Sequence, residues 1–279
     1  MKVHAAWHEA SLALKQATQN DEARLEAQLL LEHVLNVNHA WLIAHADDEL
    51  DHQSQSAFQI SIERRVKGEP IAYILGKREF YGLPLLVTSD TLIPRPDTET
   101  LVDAALSLIP NNTAKSILDL GTGSGAIGLA IAKHAPNTKV TAVDYATAAL
   151  LVAQENAQNL NIHNVAFLHS DWFNALQGQR FDVIVSNPPY IEALDAHLNQ
   201  GDLRFEPFAA LASGNDGLHA IRHIIRHAKQ HLNINGWLLI EHGYNQSGKV
   251  ASLMQEAQFN AIQHIHDLGG IARVTIAQH

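Results

Sequence analysis

The fold follows from one segment, Ile117-Leu118-Asp119-Leu120-Gly121-Thr122-Gly123-Ser124-Gly125. Its first four residues predict a buried strand, and the Ala-rich stretch from Ala126 to His134 predicts a helix directly after the glycines. Glycines permit a tight turn and let a ligand approach the backbone, and the free N–H groups that start the helix favour an electronegative ligand. This order is typical of nucleotide-type cofactor sites, although ordinary turns also use glycine-rich loops.

Acidic and aromatic residues further along strengthen the prediction of a cofactor site. Asp144 ends the next predicted strand, 25 residues after Asp119, where a carboxylate can accept both hydroxyls of a ribose. Asp171 and Trp172 follow the third strand and are placed to frame an adenine. Ala126 stands where a G-x-G-x-x-G motif would end, and no basic residue follows Asp144 closely. The pattern therefore does not indicate a ribose phosphate.

Strand and helix patterns alternate along the rest of the chain. Seven strands are predicted, at Ser116–Leu120, Lys139–Asp144, Val165–His169, Phe181–Ser186, Trp237–Glu241, Ile262–Asp267 and Arg273–Ala277. This order predicts an α/β fold with a doubly wound, seven-stranded, mostly parallel sheet. Residues 1–75 are predicted to form a small helical domain that recognises a partner, residues 76–96 an extended hairpin-like connector, and residues 97–279 the main domain.

A second motif, Asn187-Pro188-Pro189-Tyr190, follows the predicted strand that ends at Ser186. Open α/β sheets place their chemistry beyond the carboxyl ends of strands. The two prolines have fixed φ and no N–H, so the turn offers carbonyl acceptors without competing donors. The Asn187 side-chain oxygen and the Pro188 carbonyl can accept the two hydrogens of a planar amino group, and the Tyr190 ring can lie against its flat face. Asn-Pro is also common in ordinary turns.

Composition limits the class of protein. The chain of 279 residues is 46% hydrophobic and 17% charged, which predicts an ordinary globular protein. It lacks Cys, an obvious secretory leader and an apolar run of the ~20 residues that cross a bilayer, so we expect a cytoplasmic protein without membrane contact. The net charge of -10 is shared between the parts before and after Leu75, so direct nucleic-acid binding is not expected.

Four histidines raise the question of a metal site. His219, His223, His227 and His231 recur every four residues on a predicted helix. The spacing drifts around the helix, and the stretch lacks the Glu of an H-E-x-x-H motif. We therefore interpret these side chains as a solvated helix flank and predict no metal.

Taken together, these motifs resemble those of the bacterial release-factor glutamine methyltransferases, which are S-adenosylmethionine-dependent enzymes. The resemblance runs from about Glu69 to Arg273. Besides the glycine loop, Asp144 and the Asn187–Tyr190 turn, it is carried by three further segments: Arg78-Glu79-Phe80-Tyr81, Leu92-Ile93-Pro94-Arg95-Pro96-Asp97-Thr98-Glu99, and Gln200-Gly201-Asp202-Leu203-Arg204-Phe205-Glu206-Pro207.

The resemblance implies a Rossmann-like class I methyltransferase that methylates the glutamine amide nitrogen in the Gly-Gly-Gln loop of peptide chain release factors, leaving S-adenosylhomocysteine. It implies catalytic roles for Asn187, Pro188 and Tyr190. The implied cofactor-binding residues are Gly121, Thr122, Gly123, Ser124, Gly125, Asp144, Asp171, Trp172 and Asn187. The implied substrate-binding residues are Asn187, Pro188, Pro189, Tyr190, Phe80 and Arg95. Roles for Arg204, Glu206 and the Gly269-Gly270 loop stay open, and that loop is less polar than the family pattern.

Three alternatives remain open on sequence alone. The same Asn-Pro-Pro-aromatic turn serves methyltransferases that modify an exocyclic amine of a nucleic-acid base. A nicotinamide-dependent oxidoreductase could use the same kind of sheet, but it would leave the Asn187 turn without a function. A non-enzymatic nucleotide-binding module would bind cofactor without turnover.

Overall fold

The computed structural model describes residues 1–110 and 113–279, which divide into two compact units, Met1–Lys77 and Arg78–His279. The first unit is helical, with α1 (Val3–Thr18), α2 (Ala23–Leu35), α3 (His39–Ala44), α4 (His52–Val66) and α5 (Ile71–Leu75). Side-chain oxygens of Asn38 and Asp51 cap α3 and α4 by accepting backbone N–H groups. Apolar side chains such as Leu14, Leu30 and Phe58 form a core within this unit.

Two short strands follow, β1 (Lys77–Phe80) and β2 (Leu83–Leu86), and they pair with each other. The link between them is Tyr81-Gly82, with φ of +52° and +76°. Positive φ at both central residues is the geometry that suits a two-residue hairpin turn. The residues expected to form an extended connector therefore contain a small two-stranded sheet.

The large sheet contains β3 (Ser116–Leu120), β4 (Lys139–Asp144), β5 (Val165–His169), β6 (Phe181–Ser186), β7 (Leu232–Glu241), β8 (Asn260–His266) and β9 (Ala272–Gln278). The strand order is β5-β4-β3-β6-β7-β9-β8. All pairs from β5 to β7 are parallel, and β9 runs antiparallel to both of its neighbours, β7 and β8. The predicted seven-stranded, mostly parallel sheet is confirmed.

The strand β7 begins earlier than the sequence pattern predicts, at Leu232 instead of Trp237. Its pairing with β6 shifts register between Phe181 and Val183, which marks a bulge. Asn235 adopts a φ of +64° at this irregularity. Turn-forming residues inside the strand therefore hid its first half from the sequence pattern.

Helices cover both faces of the sheet. They are α6 (Glu99–Ser107), α7 (Ala126–His134), α8 (Thr147–Asn159), α9 (Phe208–Leu211), α10 (His219–Ala228) and α11 (Ser247–Glu256). Alternate strand residues enter different cores: Val183 and Val185 pack in one, and Ile184 packs in the other. Within residues 1–110 and 113–279, no helix is long and apolar enough to cross a membrane.

The chain order of the strands reverses at the pair β3 and β6. From β3 the chain moves outward to β4 and β5, and it returns to the other side at β6. Leu120 pairs with Ser186, and the Ser186 hydroxyl donates to the Leu120 carbonyl at 2.8 Å. The glycine loop and the Asn187 turn therefore leave the sheet side by side, at the crevice where such sheets bind ligands.

Candidate active site

The glycine loop is held against β4. The N–H groups of Gly121 and Thr122 both donate to the Val143 carbonyl at 2.9 Å. Gly121, Gly123 and Gly125 all have positive φ, which favours glycine because other residues meet a Cβ clash there. A Cβ on Gly125 would also lie 2.9 Å from Leu129, so the loop passes too close to α7 for a side chain.

Beneath the loop lies Asp119, a fully buried carboxyl group on β3. Its Oδ2 accepts hydrogen bonds from the Thr122 hydroxyl at 2.6 Å and the Gly128 N–H at 3.0 Å. Burial raises the pKa of Asp119 to about 6, and repulsion by Asp144 adds to the rise. Asp119 thus connects the glycine loop to the first turn of α7 through two hydrogen bonds.

Asp144 ends β4 beside the loop. Its Oδ2 accepts the Gly123 N–H at 2.8 Å, and its Oδ1 accepts the Ala146 N–H at 2.9 Å. Each carboxylate oxygen can accept a further hydrogen bond, since a carboxylate offers about four lone-pair sites. The side chain is therefore fixed in place while it can still accept two hydroxyl groups of a ligand.

A cavity of about 440 Å³ lies between these groups and the Asn187 turn. The predicted site residues that line it are Gly121, Gly123, Asp144, Asp171, Trp172, Asn187, Pro188 and Pro189. Trp172 adopts a φ of +50°, and its ring approaches within 4.0 Å of where a Gly121 Cβ would lie. The space suits a nucleoside, because it combines a ribose-binding carboxylate, a flat indole and a loop free of side chains.

The Asn187 turn is anchored from several directions. The Gln246 side chain donates to the Tyr190 carbonyl at 3.0 Å. Gly217 passes so close that its Cβ would lie 2.2 Å from the same carbonyl oxygen. The Asn187 amide Nδ2 donates to the Thr98 hydroxyl at 3.2 Å. The turn is therefore rigid on the side that faces away from the cavity.

Two acceptors of this turn have no partner within the described part of the chain. Nothing there donates a hydrogen bond to the Asn187 Oδ1 or to the Pro188 carbonyl. Both residues line the cavity. A pair of free acceptors at the end of a cofactor-sized space can bind the two hydrogens of an amino group.

Behind the turn lies Glu241, a fully buried carboxyl group at the end of β7. Burial raises the pKa of Glu241 to about 7, while hydrogen bonds from the Thr98 and Tyr190 hydroxyls oppose the rise. Burial also raises the pKa of Tyr190 above its ordinary value. The sequence motif predicted a role for the Tyr190 ring only, so the contact of its hydroxyl with Glu241 is a new finding.

Some predicted site residues lie outside the cavity lining. Thr122 and Ser124 are buried and shape the loop: the Thr122 hydroxyl bonds to Asp119, and the Ser124 carbonyl accepts the Asn156 side chain at 2.9 Å. Gly125 begins α7. These three residues contribute to the loop conformation and do not face the cavity.

The structure corrects the expected role of Phe80. Its side chain is 1% exposed and packs in the core with Leu83 and Leu101, so the structure gives it a packing role in place of contact with substrate. Arg95 is one-third exposed and forms an ion pair with the buried Glu206. Glu206 also accepts the Ile93 N–H at 3.0 Å and so joins two segments quoted for the family resemblance.

One wall of the cavity and the groups behind the Asn187 turn were not predicted from the sequence. The missed lining residues include Asp90, Thr91, Leu92, Pro207, Ala209 and Ala210. Leu92 and Pro207 belong to segments that carry the family resemblance, and this membership could have pointed to them as cavity residues. Thr98 and Glu241 also stood in quoted segments, but nothing local showed that they meet.

The histidine-rich helix is only partly a solvated flank. His219 is exposed, but His231 is 8% exposed and stacks on Phe173 with ring centroids 4.7 Å apart. His223 is half-buried, and its ring lies 6.1 Å from Trp172. Throughout the two described ranges, no group of three or more His, Cys, Asp and Glu side chains is arranged to hold a metal ion.

Each of the two units contains a match to a known protein family. Residues 5–76 match the family described as PrmC N-terminal domain, and residues 98–203 match the methyltransferase small domain. A release factor glutamine methyltransferase from Xylella fastidiosa (strain Temecula1) is 45% identical over 267 residues, covering 96% of this chain and 97% of that protein. One of the same name from Salmonella typhimurium is 46% identical over 263 residues, covering 94% and 95%.

A solved structure supports the fold alone. The crystal structure of a methyltransferase from Pyrococcus furiosus superposes with a TM-score of 0.54 at 18% identity, covering 77% of this chain and 96% of that one. The similarity at this level concerns the arrangement of the sheet and helices.

Proposed function

The chain belongs to the release factor glutamine methyltransferase family, whose methyl donor is S-adenosylmethionine, and we propose that its Asn187 turn presents a release-factor glutamine amide to that donor. The reaction is transfer of a methyl group to the glutamine side-chain nitrogen. The observation that carries the proposal is the pair of free acceptors, Asn187 Oδ1 and the Pro188 carbonyl, at the edge of the nucleoside-sized cavity.

The residues of the cavity suit the donor's adenosine part. Asp144 would accept the ribose hydroxyls, because its two oxygens are already oriented by Gly123 and Ala146. Trp172 and Asp171 would frame the adenine. Gly121 and Gly123 would let the backbone approach the ligand.

Bound S-adenosylmethionine supplies an electrophilic methyl carbon on a positively charged sulfur. A glutamine amide nitrogen is a poor nucleophile because its lone pair is delocalised into the carbonyl. Two acceptors on its two N–H groups would fix the plane of the amide and direct the nitrogen at the methyl carbon. Correct positioning of reactants can remove up to ~7–11 kcal/mol of a barrier.

The methyl transfer needs no strong base in the Asn187 turn to remove a proton from the amide. The nitrogen lone pair forms the new N–C bond, the electron pair of the S–C bond goes to sulfur, and one N–H proton leaves after the bond has formed. Methylation makes that proton more acidic, so water can take it. The dipoles of Asn187 and Pro188 would stabilise the positive charge that develops on nitrogen.

We further propose that the modified residue is the glutamine of the Gly-Gly-Gln motif. The test is to incubate the enzyme with a purified release factor and methyl-labelled S-adenosylmethionine, and then map the peptides by mass spectrometry. The expected result is one methyl group on that glutamine, and none when the motif glutamine is replaced by asparagine. Label on another residue, or no label although the donor binds, would contradict the proposal.

The other proposals concern partner and place. Methylation of a nucleic-acid base is not favoured as an alternative. The relatives match this chain over almost their full length, and their name refers to a release-factor substrate. Peptide release takes place on ribosomes, so we propose the cytoplasm as the compartment. The helical unit is proposed to recognise the release factor.

A further inference from the structure

We propose that Glu241 and Thr98 are positioning residues that set which end of the Asn187 amide faces the substrate. The inference rests on the proposed function, because it concerns how the acceptor Oδ1 is kept available for an amino group. Neither side chain lines the cavity. Both act from behind the turn, Thr98 on Asn187 and Glu241 on Thr98.

The direction of the hydrogen bonds follows from what each group can donate. The Thr98 hydroxyl bonds to the Glu241 carboxyl group, so the single hydroxyl proton of Thr98 is directed to Glu241. The lone pairs of Thr98 Oγ1 are then left to accept from Asn187 Nδ2, at 3.2 Å. An amide has one donor end and one acceptor end, and its orientation is fixed by such a network. The acceptor end, Oδ1, therefore faces away from Thr98.

The same carboxyl group also bonds to the Tyr190 hydroxyl. Glu241 thus contacts the first residue of the turn through Thr98 and the last residue directly. Arg273 pairs with Asp97 at 2.8 Å, next to Thr98, so two opposite charges lie near Glu241. A reversed Asn187 amide would present N–H to a substrate N–H, and the substrate would lose an acceptor.

The test compares two substitutions at one position, Thr98→Val and Thr98→Ser. Valine keeps the shape but removes the hydroxyl, and serine keeps the hydroxyl but removes a methyl group. We expect Thr98→Val to lower kcat for release-factor methylation by about tenfold or more, by analogy with the loss of a preorganised polar group. We expect KM and the Kd for S-adenosylmethionine to change little, and Thr98→Ser to stay within about twofold of the wild-type kcat.

A packing role alone would give the opposite order. Thr98 is 3% exposed, so serine would leave a small void that valine fills, and serine would be the more impaired variant. Thr138→Val provides a matched control, because Thr138 is equally buried and donates to the Ala135 carbonyl at 2.7 Å, at the start of β4 and away from the site. We expect it to leave kcat unchanged.

A second pair of variants keeps the test decisive should Thr98→Val fold poorly. Glu241→Gln preserves shape but can donate as well as accept, so it no longer fixes the direction of the Thr98 proton. We expect a lower kcat with unchanged donor affinity, and no further loss when it is combined with Thr98→Val. Additive losses, an unchanged kcat in Glu241→Gln, or serine as impaired as valine would overturn the proposal. A wild-type enzyme that fails to methylate the glutamine would instead contradict the proposed function.

Discussion

At the scale of single residues, the role proposed for Asn187 can be tested, because replacing its side chain should separate donor binding from turnover. We expect Asn187→Ala to lower the single-turnover rate by ~100-fold or more, as the loss of one preorganised polar group does in other enzymes. The fold and the donor affinity should persist, because the cavity keeps Asp144 and Trp172. A rate within tenfold of wild type would show that the amide does not orient the substrate.

A matched control uses the same substitution at Asn164. This side chain donates to the Ala132 and Thr138 carbonyls at 3.1 and 3.2 Å, before β5 and at the opposite ends of the strands. Asn164→Ala should lower the thermal midpoint but leave the rate unchanged. The comparison separates the loss of a hydrogen-bonded, half-buried amide from the loss of the Asn187 amide in particular.

Glu241 should make stability depend on pH. Burial raises the pKa of Glu241 to about 7 from 4.5, and its Oε2 has no hydrogen-bond partner in the described ranges. The unfolded chain releases this proton at a lower pH than the folded chain does, so folding loses stability as pH rises between about 4.5 and 7. Above pH 7 the loss amounts to about 3 kcal/mol at most, at 1.36 kcal/mol per pKa unit.

The measurement is the difference in Tm between Glu241→Gln and wild type at two pH values. The variant should be stabilised relative to wild type at pH 8, and the difference should shrink at pH 5, where the wild-type carboxyl is protonated. Glu256→Gln, at an exposed position on α11, serves as the control and should show no such trend. A difference in Tm that is the same at both pH values would contradict the raised pKa of the buried Glu241 carboxyl.

At the scale of elements, the sequence predicted the strands and loops whose structure depends mainly on neighbouring residues in the chain. The strands β3 and β6 were predictable because their apolar residues are continuous, and both ligand loops followed from glycine or proline chemistry at their ends. The first half of β7 was missed because Asn235 and its neighbours are turn-formers. The contacts of Thr98 with Asn187 and Glu241 join segments far apart in the chain, so no local pattern could reveal them.

In the helical unit, one buried ion pair joins α2 to α4. Arg65 donates from Nε and Nη2 to the two carboxylate oxygens of Glu26, each at 2.9 Å, and both side chains are less than a tenth exposed. Arg65→Ala would leave a buried carboxylate without its partner, so we expect a loss of about 3–5 kcal/mol in the stability of this unit. Amide hydrogen exchange in α2 and α4 measures that loss.

The neighbouring pair supplies the control. Arg64 bonds to Glu69, but its side chain is 43% exposed, so Arg64→Ala should cost no more than about 1 kcal/mol. If the α2 and α4 amides were equally protected from exchange in the two variants, the buried and the exposed ion pair would contribute equally to stability, and the prediction would be wrong.

At the scale of the whole molecule, the second unit has features suited to methyl transfer, and the first has features suited to recognition of the release factor. The second unit contains the cavity and the Asn187 turn. In the first unit, Trp7, Leu25 and Ile43 line one concave surface, and Leu25 and Ile43 are 49% and 60% exposed. Arg24 lies over the Trp7 ring at 5.3 Å on the same surface. Exposed apolar side chains grouped with an arginine and an aromatic ring are typical of protein–protein contact sites.

Ile43→Glu tests whether this surface recognises the release factor. A charge in the middle of an apolar contact should raise KM for the release factor by about tenfold, the effect of losing one important interface residue. The donor Kd should stay unchanged, because the cavity belongs to the other unit. Ile60→Glu makes the same change at a position on α4 that is 56% exposed and outside this surface, and it should leave KM unchanged. Equal KM values for the two variants would mean that the helical unit binds the release factor through another face, or not at all.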